Sequence, residues 1–308
     1  MYRGKLTATL CGLVAIVMWS TAGGLIRSIG EAFGPIGGAA LIYSLGAAVL
    51  LVVLGKSRLR PASAFYLVVG GILFVAYEVC MSLSLGYATS HVQSIEIGVV
   101  NYLWPCLTML FGVFMNDQRS TWLIAPGTAL AVLGIFWVVS GNAWSIEGLR
   151  VSVTANPLAF GLAFACSFTF ALYCNVTRRY SNGGNQIVLF FLLTACVLWI
   201  KYALSSESLG HFTLTNSSEL AVAVYAVAGG YALWNIGITK GNLTLLATAS
   251  YFAPVLSSAF AALWLSATLT AQFWQGALLV TAGSLLCWQA TRSPVQPAEV
   301  AENVASNA

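Results

Sequence analysis

Apolar residues come in long uninterrupted runs, and the breaks between them are short stretches of charge, glycine, proline and asparagine. A helix crosses the ~30 Å hydrocarbon core of a bilayer in ~20 residues, so each such run predicts a membrane-spanning helix. Ten runs meet that length, at 6–28, 35–55, 62–86, 92–115, 121–140, 157–177, 186–204, 219–239, 244–266 and 270–290. The first follows Arg3 and Lys5, as a secretion signal would. It is longer than a signal's apolar core and lacks a small-residue cleavage site followed by a soluble domain, so it predicts a retained helix. Two polar stretches remain. Residues 143–156 are expected as an external connecting loop, and the Pro, Ala and Glu content of 293–308 predicts a disordered cytoplasmic tail.

Composition turns this pattern into a class. Only 13 basic and 9 acidic residues occur among 308, or 7%, against roughly 25% in an ordinary soluble domain. The hydrophobic share is 59% and the mean hydropathy +0.85. A soluble fold cannot hide that much apolar surface, so the chain reads as an all-α integral membrane protein with lipid as its solvent. The net charge of +4 is scattered over the breaks and marks no nucleic-acid partner. The seven cysteines lie inside apolar runs without CxxC spacing, and His91 and His211 stand far apart, so neither a metal site nor a cofactor is expected. The HExxH, GxxxxGK[ST] and GxSxG patterns are absent, which argues against an enzyme.

Loop charges predict the orientation. With a cytoplasmic N-terminus, that side carries Arg3, Lys5, Lys56, Arg58, Arg60, Arg119, Arg178, Arg179, Lys240 and Arg292, and the other only Arg27, Arg150 and Lys201. This positive-inside bias puts both termini in the cytoplasm.

The chain also repeats itself. Tyr102 and Pro105 in YLWPCL match Tyr251 and Pro254 in YFAPVL at an offset of 149 residues. The same offset maps Gly12-Leu13 onto Gly161-Leu162, Gly34 onto Gly183, Gly127 onto Gly276 and Gly134 onto Gly283. The matches run from the first segment to the tenth. They predict two five-helix repeats, 1–142 and 157–292, the second inverted because five is odd. Secondary transporters use that architecture for alternating access.

Two five-helix halves, Trp19-Ser20-Thr21 in the first segment and a proline late in the fourth and ninth resemble the drug/metabolite transporter superfamily, EamA type. The stretch 94–113, SIEIGVVNYLWPCLTMLFGV, is the most specific match, and within the superfamily the chain to about residue 292 is similar to aromatic amino acid exporters. The resemblance implies an exporter of aromatic and other neutral or hydrophobic amino acids in a bacterial inner membrane. It implies a basket-like central cavity built from helices 1, 3, 4, 6, 8 and 9. Helices 5 and 10 are peripheral in that picture, forming a dimer surface in some members, so a monomer or weak homodimer is expected. Partners are then the amino-acid substrate and the bilayer.

Candidate site residues stand out against the apolar background. Glu78 and Glu96 are the carboxylates in the interior of the spans, Glu219 standing at the very start of the eighth, and an intramembrane acid is a functional candidate by default. Helical spacing puts Phe74, Glu78, Met81 and Leu85 on one face, and Gln93, Glu96, Val100 and Leu103 on another. If those faces meet, both acids line one vestibule and can hold a substrate ammonium or a proton; the other reading of Glu96 is an interfacial side chain. Pro105 and Pro254 lie well inside their spans, free the carbonyls of Asn101 and Ser250, and are expected as matched hinges.

Aromatics make up 12% of the chain. Trp122, Trp144, Trp199 and Trp274 are placed as interfacial anchors. Trp19, Tyr77, Tyr102, Trp104, Tyr173, Trp234 and Tyr251 lie deeper, where rings suit apolar side chains and an ammonium. Asn101, Asn175 and Asn235 are either partners for a zwitterion's carboxylate or interhelical glue. Arg27 has two readings: attraction of a carboxylate at the exit, or snorkelling to the headgroups. Glycine pairs are expected to allow close helix approach. The expected function is amino-acid export by a secondary carrier, with export of drugs or other metabolites on the same fold as the alternative.

Overall fold

The computed structural model describes residues 2–54, 63–117, 119–141, 145–181, 186–241 and 243–291. Among them the secondary structure is helical and contains no strand. Helices α1 (Tyr2–Phe33) and α2 (Pro35–Leu54) meet at Gly34, whose φ of +88° turns the chain in one residue. That is a conformation glycine adopts without the Cβ penalty. A π-helical turn, Tyr66–Gly70, leads into α3 (Gly71–Gly86), followed by α4 (His91–Asn101), α5 (Trp104–Met115) and α6 (Ile124–Val139). Then come α7 (Ile146–Ala155), α8 (Pro157–Tyr180), α9 (Ile187–Ala203) and α10 (Leu214–Val224). A second π turn, Tyr225–Gly229, joins α10 to α11 (Gly230–Lys240), and α12 (Leu243–Ser250), α13 (Ala253–Trp264) and α14 (Ala271–Thr291) complete the described chain.

Five of these stretches are long and apolar enough to cross a membrane: Gly4–Phe33, Pro35–Leu54, Tyr66–Gly86, His91–Met115 and Pro157–Tyr180. Large apolar side chains such as Val52, Ile72, Phe164 and Leu278 point outward, a surface that lipid accepts and water penalises. Helix starts follow local chemistry. Ser90 caps α4 by accepting from the Gln93 N–H, Asn156 caps α8 by accepting from Ala159 with Pro157 in the first turn, and Thr213 forms a capping box with Asn216 at α10. The stretch 143–156 is not the loop expected from its polarity. Its described part is α7, which Ser145 caps through Gly148 N and which has Glu147 in its first turn, where a negative charge suits the helix dipole.

Turns gather at two ends of the bundle. At one end Asn156 donates to the Tyr87 carbonyl, His91 meets the Leu265 carbonyl, and Glu207 accepts from the Ile36 and Gly37 N–H groups at the start of α2. At the other end Ser63 donates to the Tyr180 carbonyl, and Thr121 N–H donates to the Ala290 carbonyl. Exposed Arg119, Arg178 and Arg179 belong to that second end, and Arg150 and Lys201 to the first. Lys56, Arg58, Arg60, Trp144, Arg292, the tail 293–308 and the side chains of Arg3 and Lys240 lie outside the described residues.

Helices α6 and α14 run antiparallel through a backbone contact that only glycine permits. A Cβ on Gly134 would lie 2.7 Å from the Gly276 carbonyl oxygen, and one on Gly276 2.8 Å from that of Gly134. Gly127 and Gly283 meet in the same way, at 3.0 and 2.6 Å. Elsewhere α2 packs on α9, α1 on α11 and α13, and α3 on α8. The layer between α2, α3 and α9 is aromatic, with Tyr43, Tyr66, Phe74, Phe190 and Phe191 fully buried.

Candidate functional site

Glu78 sits in the middle of α3 and is 4% exposed. Burial of a carboxylate is costly unless every oxygen is engaged. Here each oxygen has a tyrosine: Tyr43 of α2 donates to Oε2 at 2.5 Å, and Tyr231 of α11 donates to Oε1 at 2.8 Å. Ser82, one turn further along α3, extends the network to the Tyr43 hydroxyl at 3.5 Å. The carboxylate therefore ties α3 to α2 and to α11 across the bundle.

Aromatic rings enclose this group. Trp19 of α1 stacks edge-on against Tyr231 at 4.9 Å between centroids and tilts against Trp234 at 5.4 Å. Phe74 and Phe191 close the other side of Tyr231 at 5.8 and 5.5 Å. On the α8 side, Phe170 lies 4.2 Å from Tyr77, 4.9 Å from Trp104 and 5.9 Å from Tyr173. Trp19, Tyr77, Glu78, Trp104, Tyr173 and Trp234 thus fall into two adjoining aromatic groups joined through Phe74, which also touches Tyr173 at 5.3 Å. The side chain of Asn235 lies outside the described residues.

Sequence reasoning missed Tyr43, Tyr231 and Phe170. Tyr43 carried a readable signal, a lone phenol in the centre of an apolar run, where a buried hydroxyl needs a partner. Tyr231 follows Gly229-Gly230 directly, and Phe170 had none.

Both proline sites are helix breaks. Helix α4 ends at Asn101 and α5 begins at Trp104, with Tyr102 N–H turned to the Val99 carbonyl. Helix α12 ends at Ser250 and α13 begins at Ala253, with Phe252 N–H turned to Ala249. The two boundaries are 149 residues apart at both edges. Pro105 and Pro254 sit in the first turn of the following helix, where a missing N–H costs nothing. Tyr102 is half-buried against the core, and buried Tyr251 lies 6.3 Å from the Trp288 ring of α14. Asn101 accepts from the Cys166 thiol at 3.1 Å.

Glu96 and Arg27 stand differently from expectation, and Asn175 takes one of its two readings. Glu96 does not share a vestibule with Glu78. It lines a cleft beside Val138 of α6 and Phe273 of α14, and Glu78 is not among the lining residues. Asn175 is interhelical glue, donating to the Ala171 and Thr108 carbonyls and accepting from Asn116. Arg27 neither snorkels nor opens to the exit. It is buried, its Nη1 donates to the carbonyls of Leu85, Gly86 and Ala88 at the end of α3, and Nη2 pairs with Glu31 at 2.7 Å. A cation there also complements the negative end of the α3 dipole. Of the interfacial tryptophans, Trp122 is exposed, whereas Trp199 donates to Ser44 at 2.9 Å and so braces α9 on α2.

The EamA-like transporter family profile matches residues 6–140. The aromatic amino acid exporter YddG of Escherichia coli is 50% identical over 286 residues, covering 92% of this chain and 98% of that protein. The exporter of the same name from Salmonella typhimurium is 49% identical over the same coverage. A solved crystal structure, 24% identical, superposes with a TM-score of 0.67 over 94% of this chain and 98% of its own. A multi-pass bundle of apolar helices around a buried, tyrosine-held carboxylate, with transporters as its relatives, defines a membrane transporter rather than an enzyme. The chain belongs to the EamA-like transporter family, in the branch of the YddG exporters.

Proposed function

We propose that the protein exports aromatic and other neutral or hydrophobic amino acids across a bacterial inner membrane, both termini cytoplasmic, as a secondary carrier with alternating access. The observation that carries this reading is Glu78, buried between Tyr43 and Tyr231 inside rings from α1, α3, α8, α9 and α11. A carboxylate and aromatic faces together recognise an ammonium joined to a flat apolar side chain. The printed names of the 50% and 49% identical relatives favour aromatic amino acids over drugs or other metabolites, which remain the alternative cargo. Trp19, Tyr77, Glu78, Asn101, Tyr102, Trp104, Tyr173, Trp234, Asn235 and Tyr251 are the proposed cavity residues. A monomer or weak homodimer suffices, since the site lies within one chain.

Ten spans in two inverted halves, 1–142 and 157–292, joined through 143–156 and followed by the tail 293–308, are the architecture we infer. The α6–α14 contact supports it. Gly127 and Gly276 are equivalent at the 149-residue offset, as are Gly134 and Gly283, so the equivalence carries the Gly134–Gly276 contact onto the Gly283–Gly127 contact. A two-fold axis between antiparallel segments requires that exchange. The π turns support it too: Tyr66-Leu-Val-Val-Gly70-Gly71 and Tyr225-Ala-Val-Ala-Gly229-Gly230 share one frame at an offset of 159. In this reading the paired breaks at Pro105 and Pro254 are the hinges.

The test is counterflow of labelled phenylalanine, tryptophan and threonine in liposomes, with and without a pH gradient. Exchange competed away by unlabelled aromatic amino acids is expected; none, in vesicles with folded and oriented protein, moves the drug or metabolite reading to first place. The Pro105→Ala, Pro254→Ala double variant is expected to slow counterflow about 3- to 10-fold, as continuous helices resist bending, with phenylalanine affinity nearly unchanged. A double variant that exchanges at the parent rate removes the hinges from the mechanism.

A further inference from the structure

The cleft at Glu96 is separate from the Glu78 site and chemically different from it. It has a volume of about 210 Å³ and lies between α4, the end of α6, the α13–α14 turn and the start of α14. Val92, Val138, Leu269 and Phe273 make its walls apolar, and Thr268 and Thr270 bring hydroxyls to it. Glu96 is the sole charged lining residue among those described, and its carboxylate has no hydrogen bond or ion pair in the structure. Glu78, by contrast, spends both oxygens on tyrosines. Basic side chains on the adjoining turns are committed elsewhere: Arg27 to Glu31 and the end of α3, and His91 to Glu31 and the Leu265 carbonyl.

A carboxylate in an apolar cleft without a basic partner calls for a cation with a short apolar body. A zwitterion is the poorer fit. Its own carboxylate would meet Glu96 across a low-dielectric space, with only threonine hydroxyls to receive it. Gln272 fixes the frame by donating to the carbonyls of Trp137 and Gly141, so the α6 and α14 walls are tied together. We propose that this cleft is a binding site for a primary amine bearing an apolar side chain and no carboxylate, its ammonium on Glu96 and its side chain against Leu269 and Phe273. The site stands on the cleft itself and holds whatever the central site carries. Because one wall is α4 and the other the α6–α14 pair, an occupied cleft holds α4 in the arrangement seen here and slows any cycle that bends the chain at Pro105.

The test is equilibrium binding of radiolabelled 2-phenylethylamine to the full-length protein in detergent. With the central site occupied by excess phenylalanine, one saturable site per chain is expected, weakened at least tenfold by Glu96→Gln. Leu269→Trp, which fills the cleft and leaves the carboxylate in place, should weaken it comparably. Glu78→Gln should leave this binding unchanged, as should further phenylalanine. Absence of saturable binding overturns the proposal, as does binding that survives both cleft variants. Binding lost in Glu78→Gln or displaced by further phenylalanine also overturns it, by moving the amine to the central site.

Discussion

Glu78→Gln is expected to lower amino-acid counterflow by tenfold or more while the protein still folds and purifies as the parent does. Glutamine keeps the shape and one acceptor oxygen. Its NH₂ group can only donate, so one of the two tyrosine hydroxyls must turn away or accept instead. The negative charge is gone, and with it the attraction for a substrate ammonium or the capacity to carry a proton. Glu78→Ala should do worse, because it leaves both hydroxyls buried without an acceptor, at about 1–3 kcal/mol each. Counterflow in both variants, with and without an imposed pH gradient, and thermal unfolding of each separate charge from packing. Transport by Glu78→Gln at the parent rate with the parent's pH dependence removes the carboxylate from binding and coupling alike, and leaves it a structural tie.

The other large effect is on folding. Leucine at Gly134 or Gly276 is expected to leave almost no monodisperse protein, because the clashing atoms include backbone of the facing helix, which cannot rotate away. Overpacking of a well-packed site costs about 1–3 kcal/mol, occasionally more, and here both helices must separate along their length. The two-fold relation adds a sharper expectation. Alanine at Gly134 and alanine at Gly283 occupy equivalent positions, and should lower the unfolding temperature by the same amount. The same holds for the pair Gly127 and Gly276. Measured unfolding shifts that differ strongly within a pair argue against the two-fold, and normal yield of the leucine variants argues against the contact itself.

Hydropathy alone placed the five stretches long and apolar enough to cross a membrane, since bilayer thickness imposes a length that reads directly from the chain. The proline breaks were legible for a similar reason, as proline carries its own backbone constraint. What failed to show depends on partners remote in sequence. The role of Arg27 is set by carbonyls about 60 residues away, and a buried cation capping a helix end looks, on one strand of text, like any charge at a segment boundary. Glu78 was visible as an anomaly, but its pairing was not: Tyr43 shows only that a buried hydroxyl needs some partner, and Tyr231 is an ordinary aromatic in an aromatic-rich chain. Glu96 was grouped with Glu78 on depth and spacing. Spacing fixes which residues share a face and says nothing of where that face turns. Helix α7 hid because polar residues at a surface form a helix as readily as a loop once Ser145 caps it.

The two π turns bear on the protein's history. Each carries one residue more than an α-helix would hold over the same stretch. Each begins with a tyrosine whose ring lies over the glycine four positions on, within 2.7 Å of where a Cβ on Gly70 would be and within 3.5 Å at Gly229. Such an insertion is costly in the middle of a membrane helix, and here it occurs twice in the same six-residue frame. If the chain is two inverted halves, as proposed, the economical account is a single event in a half-length ancestor before its doubling. Because the offset is 149 both before and after them, the 159 at the π turns would then record ten residues gained in one connection and ten lost in the next.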